Sequence, residues 1–143
     1  MKPQSIASQL HNNAIAIISL VVAIIALVLN TWRLEQTEQN RNVRQASFEM
    51  LTDLGELQAV INITLYQSNP LKSDPIQGWN YIAKMSDIVV LIPEPVPTQL
   101  NRLIDVWSSH WKMIPNDEKI AKEISTQIDL TREAVMKALH QLH

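Results

Sequence analysis

The sequence contains no cysteine. That excludes disulfides, thiolate metal centres and cysteine nucleophiles, and it leaves the redox compartment open. Glycine is nearly missing too: Gly55 and Gly78 are the only two in 143 residues. Such scarcity argues against phosphate loops, dinucleotide-binding turns and turn-rich sandwiches. Twelve Lys and Arg face 14 Asp and Glu, so there is no basic excess of the kind that marks a nucleic-acid binder. No HExxH, GxSxG or P-loop pattern occurs. His140 and His143 stand three apart without a neighbouring carboxylate or thiolate ligand, which is a poor metal set. His110 follows Ser108 and Ser109, but helical neighbours one or two apart do not face each other, so no Ser–His pair is expected. The expectation is no catalytic, cofactor-binding or metal-binding set, and no enzyme.

One apolar run dominates what is present. Ala14 to Leu29 reads AIAIISLVVAIIALVL, with no charge and with Ser19 as its only polar residue. A helix this apolar has no face left for water. Extended to Trp32 it rises about 28 Å at 1.5 Å per residue, close to the roughly 30 Å hydrocarbon core of a bilayer. The run is predicted to be a transmembrane helix over residues 14–32. Trp32 is placed as an interfacial anchor and Arg33 as a snorkelling or headgroup residue. A cleaved signal peptide fits less well, because only Lys2 is charged ahead of the run and Asn30-Thr31-Trp32-Arg33 offers no small-residue cleavage site. A buried core helix fits less well again, since about 110 downstream residues would have to cover all its faces.

Side-chain size is patterned within the span. Ala16, Ser19, Ala23, Ala26 and Asn30 recur at steps of three and four, beside a stripe of Ile15, Ile18, Val22, Ile25 and Leu29. Small residues on one seam let a second helix approach closely in lipid, and the Asn30 amide is able to hydrogen-bond across helices. The alternative is that alanine is simply common in spans.

Residues 1–13 read as a short polar tail. Residues 33–45 are polar all round and free of Gly and Pro, so the membrane helix is expected to run on as a juxtamembrane stalk. Residues 46–143 read as a helical bundle domain. Its first helix, about Val43–Gln67, presents Phe48, Leu51, Leu54, Leu57, Val60, Ile61, Thr64 and Leu65 as a broad apolar face, with Gly55 a possible close approach. Ser68-Asn69-Pro70 stops it. Asp74-Pro75 supplies an N-cap and a first-turn proline for a second helix to about Leu91. Within that helix Ile88-Val89-Val90-Leu91-Ile92 is strand-like by propensity alone. After the stiff Pro93–Pro97 connector, a third helix, Thr98–Met113, places Trp107 and Trp111 one turn apart. They suit a core, or an aromatic patch facing a partner. Asn116 or Asp117 caps the last helix, Asp117–Leu142.

The expected fold is all-α: one N-terminal transmembrane helix, a polar helical stalk and a four-helix up-down bundle. The expected role is a membrane-anchored accessory or scaffold subunit. Its partners would be the lipid bilayer and another membrane protein, or a second copy through the span, with no nucleic acid. The alternative is a single-span sensor with a ligand-binding bundle. Arg33, Arg41 and Arg44 follow the span, so the positive-inside rule favours a cytoplasmic domain at a bacterial inner membrane.

Overall fold

The computed structural model describes residues 13–66 and 74–142. The expected tail over 1–12, the helix end at Gln67, the stop signal at Ser68-Asn69-Pro70 and His143 lie outside the described residues. Among the described residues no strand occurs, and four α-helices are present: α1 (Ala14–Tyr66), α2 (Gly78–Ile88), α3 (Val96–His110) and α4 (Glu118–His140). Short 3-10 turns at Pro75–Gln77, Val89–Leu91 and Trp111–Asn116 flank them. The chain divides into two compact units, Met1–Gln39 and Asn40–His143, with the division inside the predicted stalk.

The first unit holds the apolar half of α1. Ile15, Ile18, Leu20, Val22, Ile25, Leu27 and Leu29 are all exposed. Its hydroxyls turn back on their own helix: Ser19 Oγ donates to the Ile15 carbonyl at 2.8 Å and Thr31 Oγ1 to the Leu27 carbonyl at 3.0 Å. Each of these two hydroxyls therefore has a partner on its own helix.

The second unit has one apolar core. On α1, Ala46, Met50, Leu54, Leu57 and Ile61 are buried at helical spacing. They meet Ile82 and Met85 of α2, Val96, Leu100, Leu103 and Trp107 of α3, and Ala121, Ile124, Ile128, Val135 and Ala138 of α4 in a single cluster. Gln58 Nε2 of α1 donates to Ser125 Oγ of α4 at 2.9 Å. The buried Thr131 hydroxyl lies 2.8 Å from the Gln127 carbonyl on its own helix and 3.4 Å from the Gln99 carbonyl on α3.

Local signals place the helix starts. Asp74 accepts from Ile76 N at 2.9 Å and caps the Pro75–Gln77 3-10 turn, with Pro75 in its first position; α2 itself begins at Gly78 rather than at the predicted Pro75. Asp117 accepts from Lys119 N and Ile120 N at 2.9 and 3.2 Å, satisfying two donors that have no partner within the helix. The strand-like Val89–Leu91 stretch is a 3-10 turn, because no strand stands beside it to complete a ladder. α3 begins at Val96, two residues before the predicted Thr98, since Pro97 falls at an early helical position where a missing N–H costs nothing. α3 ends at His110, and the predicted stretch to Met113 tightens into the 3-10 turn.

Several expected core residues sit at the edge. Leu51, Ile88 and Ile104 are half-buried against the core, and Phe48 is 57% exposed on the flank of α1. Gly55 is exposed and nothing lies within 4 Å of a Cβ built there, so it marks no close approach. The close approach is at Gly78. A Cβ there would overlap the Trp107 ring and come within 2.9 Å of Leu57 Cδ1.

Candidate functional site

The candidate site read from the sequence is the seam Ala16, Ser19, Ala23, Ala26 and Asn30. At 3.6 residues per turn these five positions fall within an arc of about 80° on the first half of α1. All five are exposed. The large residues Ile15, Ile18, Val22, Ile25 and Leu29 occupy the adjoining arc and are also exposed. The seam is thus a shallow strip bordered by a ridge, which is the relief that close helix pairing uses. Trp32 is 59% exposed at the end of the run, followed by exposed Arg33. None of the apolar window is buried, and α1 is long and apolar enough to cross a membrane.

The two aromatic candidates part company. Trp107 is fully buried and belongs to the core, so it cannot face a partner. Its ring fills the space that Gly78 leaves. Its Nε1–H and the Ser47 hydroxyl are buried without a hydrogen-bond partner among the described residues; an unsatisfied buried group of this kind costs roughly 1–3 kcal/mol. Trp111 is half-buried, with the Lys112 ammonium 5.3 Å from its ring centroid. A partner-facing aromatic surface therefore reduces to part of Trp111. His110 and His140 each direct Nδ1 to a carbonyl of their own helix, at 3.1 and 2.7 Å. Among the described residues no group of three or more His, Asp or Glu is placed to hold a metal ion.

A second feature lies outside the residues that the sequence pattern singles out. Glu49, Thr52 and Asp53 of α1 and Lys84, Asp87 and Ile88 of α2 line a cleft of about 420 Å³. Asp53 is buried, and its Oδ1 lies 3.8 Å from Lys84 Nζ. Burial pushes the Asp53 carboxyl above the usual carboxylate range; Lys84 opposes the rise, and Glu49 and Glu56 add to it. A signal was present in the sequence. Asp53 falls three residues after Met50 and four before Leu57, so a carboxylate occupies a core-spaced position.

No protein-family model, curated protein or solved structure matches the chain.

Proposed function

We propose that this protein is a single-span, membrane-anchored accessory or scaffold subunit without catalytic activity of its own. The observation that carries the reading is the apolar half of α1, where every large apolar side chain from Ile15 to Leu29 is exposed. Burial of apolar surface stabilises by roughly 25 cal/mol per Å², so such a surface in water is strongly unfavourable and in lipid is not. The lipid bilayer is the proposed surroundings of residues 14–32, with Trp32 and Arg33 at the interface. The seam Ala16, Ser19, Ala23, Ala26 and Asn30 is the proposed contact with another membrane protein or a second copy.

The soluble part is read as an up-down four-helix bundle. Its support is the register of α1 against α2: Leu57 lies by Gly78, Asp53 by Lys84, and Glu49 shares a cleft with Ile88. Positions descend along one helix as they ascend along the other, as in an antiparallel pair. Arg33, Arg41 and Arg44 favour a cytoplasmic bundle at a bacterial inner membrane.

Purification of the tagged full chain in mild detergent tests this reading. A stoichiometric membrane partner, or a stable homo-oligomer, is the expected outcome. A solitary monomer released from membranes by alkaline carbonate would defeat it. The cleft at Asp53 favours a second reading, a single-span sensor with a ligand between helices. A ligand-dependent rise in melting temperature would select it.

A further inference from the structure

We propose that Asp53 and Lys84 form a proton-sensitive latch between α1 and α2, tightened when the surrounding solution is acidified and loosened when it is made alkaline. The geometry of the contact is the basis. Asp53 lies between Met50 and Leu54, both fully buried, yet its side chain points into a cleft and keeps 12% of its exposure. Its partner comes from the solvent side: the Lys84 side chain is 63% exposed. The 3.8 Å separation exceeds the roughly 2.7–2.9 Å of a charge-assisted hydrogen bond, so the ammonium compensates a carboxylate only in part. Lys84 is also held 5.4 Å from the Tyr81 ring centroid. Further charges come from the same two helices. Glu49 and Glu56 lie near Asp53 on α1, and Asp87 lines the cleft from α2.

This arrangement has two states of different tightness. Protonated Asp53 brings no charge into the contact, and the cleft closes without desolvating an ion. Ionised Asp53 is poorly hydrated in the closed cleft and only partly compensated by Lys84; opening the cleft hydrates it and lets water screen it from Glu49 and Glu56, which stay beside it on α1. The carboxyl's proton affinity is accordingly raised, first by burial and then by its acidic neighbours, against the pull of Lys84. A carboxyl that binds its proton more tightly in the closed cleft than in the hydrated, open one stabilises the closed state fully below the ordinary carboxylate range. That stabilisation is lost as pH rises through the raised value. Loosening would uncover the face of α1 around Leu57, which Gly78 now covers.

Amide hydrogen exchange of residues 78–88, measured on the full chain in detergent micelles and corrected for the intrinsic pH dependence of exchange, tests the latch. In the native chain, protection of these amides should fall as pH rises from the acid side. Asp53→Asn, a fixed mimic of the protonated form, should abolish that fall. Lys84→Met should steepen it by removing the compensating cation. An Asp53→Asn chain that keeps the native pH dependence, or native protection that increases with pH, would overturn the proposal. Should Asp53→Asn not fold, carbon-13 titration of the native Asp53 carboxyl decides. A midpoint above the ordinary aspartate range supports the latch, and one at or below it overturns it.

Discussion

Ile25 and Ile124 are the same side chain in opposite situations. Ile25 is 53% exposed on the first half of α1, whereas Ile124 is fully buried on α4. The neighbours explain the difference. Around Ile25 the helix is apolar on every face, so no orientation could bury it all against a single-sided partner. Around Ile124 the apolar residues recur on one stripe, Ala121, Ile124, Ile128 and Val135, with Glu123, Lys122 and Asp129 on the outer side. A stripe is satisfied by other stripes of the same chain, as the common core of the second unit demonstrates. A wholly apolar cylinder has no polar face to leave outside, so a one-sided partner cannot cover it. The contrast is therefore between a stripe covered by its own chain and an all-round apolar surface left exposed.

The largest expected effect comes from removing one side of the contrast. Deletion of residues 1–32 should move the protein from the membrane pellet to the supernatant after high-speed sedimentation. The fragment beginning at Arg33 should keep its helical circular dichroism. An insoluble or unfolded fragment would mean that the two units do not stabilise independently.

Point substitutions sharpen the same comparison. Leu54→Ala or Ile124→Ala should destabilise the 40–142 unit by about 2–5 kcal/mol in chemical denaturation, the range for truncating fully buried aliphatic residues. Ile25→Ala should change that unfolding by less than about 0.5 kcal/mol, as substitutions outside a core do. Equal losses would place Ile25 in the same core and dissolve the distinction. Gly78→Ala is expected to cost about 1–3 kcal/mol, because the added methyl has to displace the Trp107 ring. Gly55→Ala should instead be neutral or slightly stabilising, since its Cβ meets nothing and alanine favours the helix. Reversal of the two glycines would show that the α2–α3 contact is looser than the Gly78–Trp107 fit implies.

These examples show why some features were legible in the sequence and others were not. Asp74, and Asp117 as one of two candidates beside Asn116, are readable as caps because a cap involves only the next two or three residues. The core stripe of α4 was readable because periodicity records burial directly. Phe48 misled, because it stands at the margin of a broad apolar face and the final boundary depends on what packs alongside. Gly78 was silent, because its importance lies in a Trp107 ring 29 positions downstream, so no local pattern announces it. Trp107 and Trp111 share a spacing but not a fate. α3 gives way to a 3-10 turn at Trp111, and that change of helix geometry is set by the approach to Pro115. The seam differs from all of these. Its five residues are legible as a pattern and exposed in the structure, yet its consequence depends on a second molecule.

The smallest expected effect addresses that seam. Ala23 and Val22 are neighbours on the same exposed stretch of α1, so a leucine at either adds exposed apolar surface, more at Ala23 than at Val22. They differ in phase. Ala23 lies on the small-residue arc, where a larger side chain would hold two backbones apart, whereas Val22 belongs to the ridge that would flank the proposed contact or face lipid. Ala23→Leu should therefore lower cross-linking between spans, or recovery of a membrane partner, while Val22→Leu leaves it near the native level. Asn30→Ala should reduce it only slightly, since polar contacts between membrane helices contribute about 0.6 kcal/mol on average. None of the three substitutions should alter denaturation of the 40–142 unit, because all lie outside its core. That control separates a lost helix contact from a damaged fold. Equal recovery from Ala23→Leu and Val22→Leu would reduce the seam to alanine-rich filler, and the anchor would then hold the protein in lipid without choosing a neighbour.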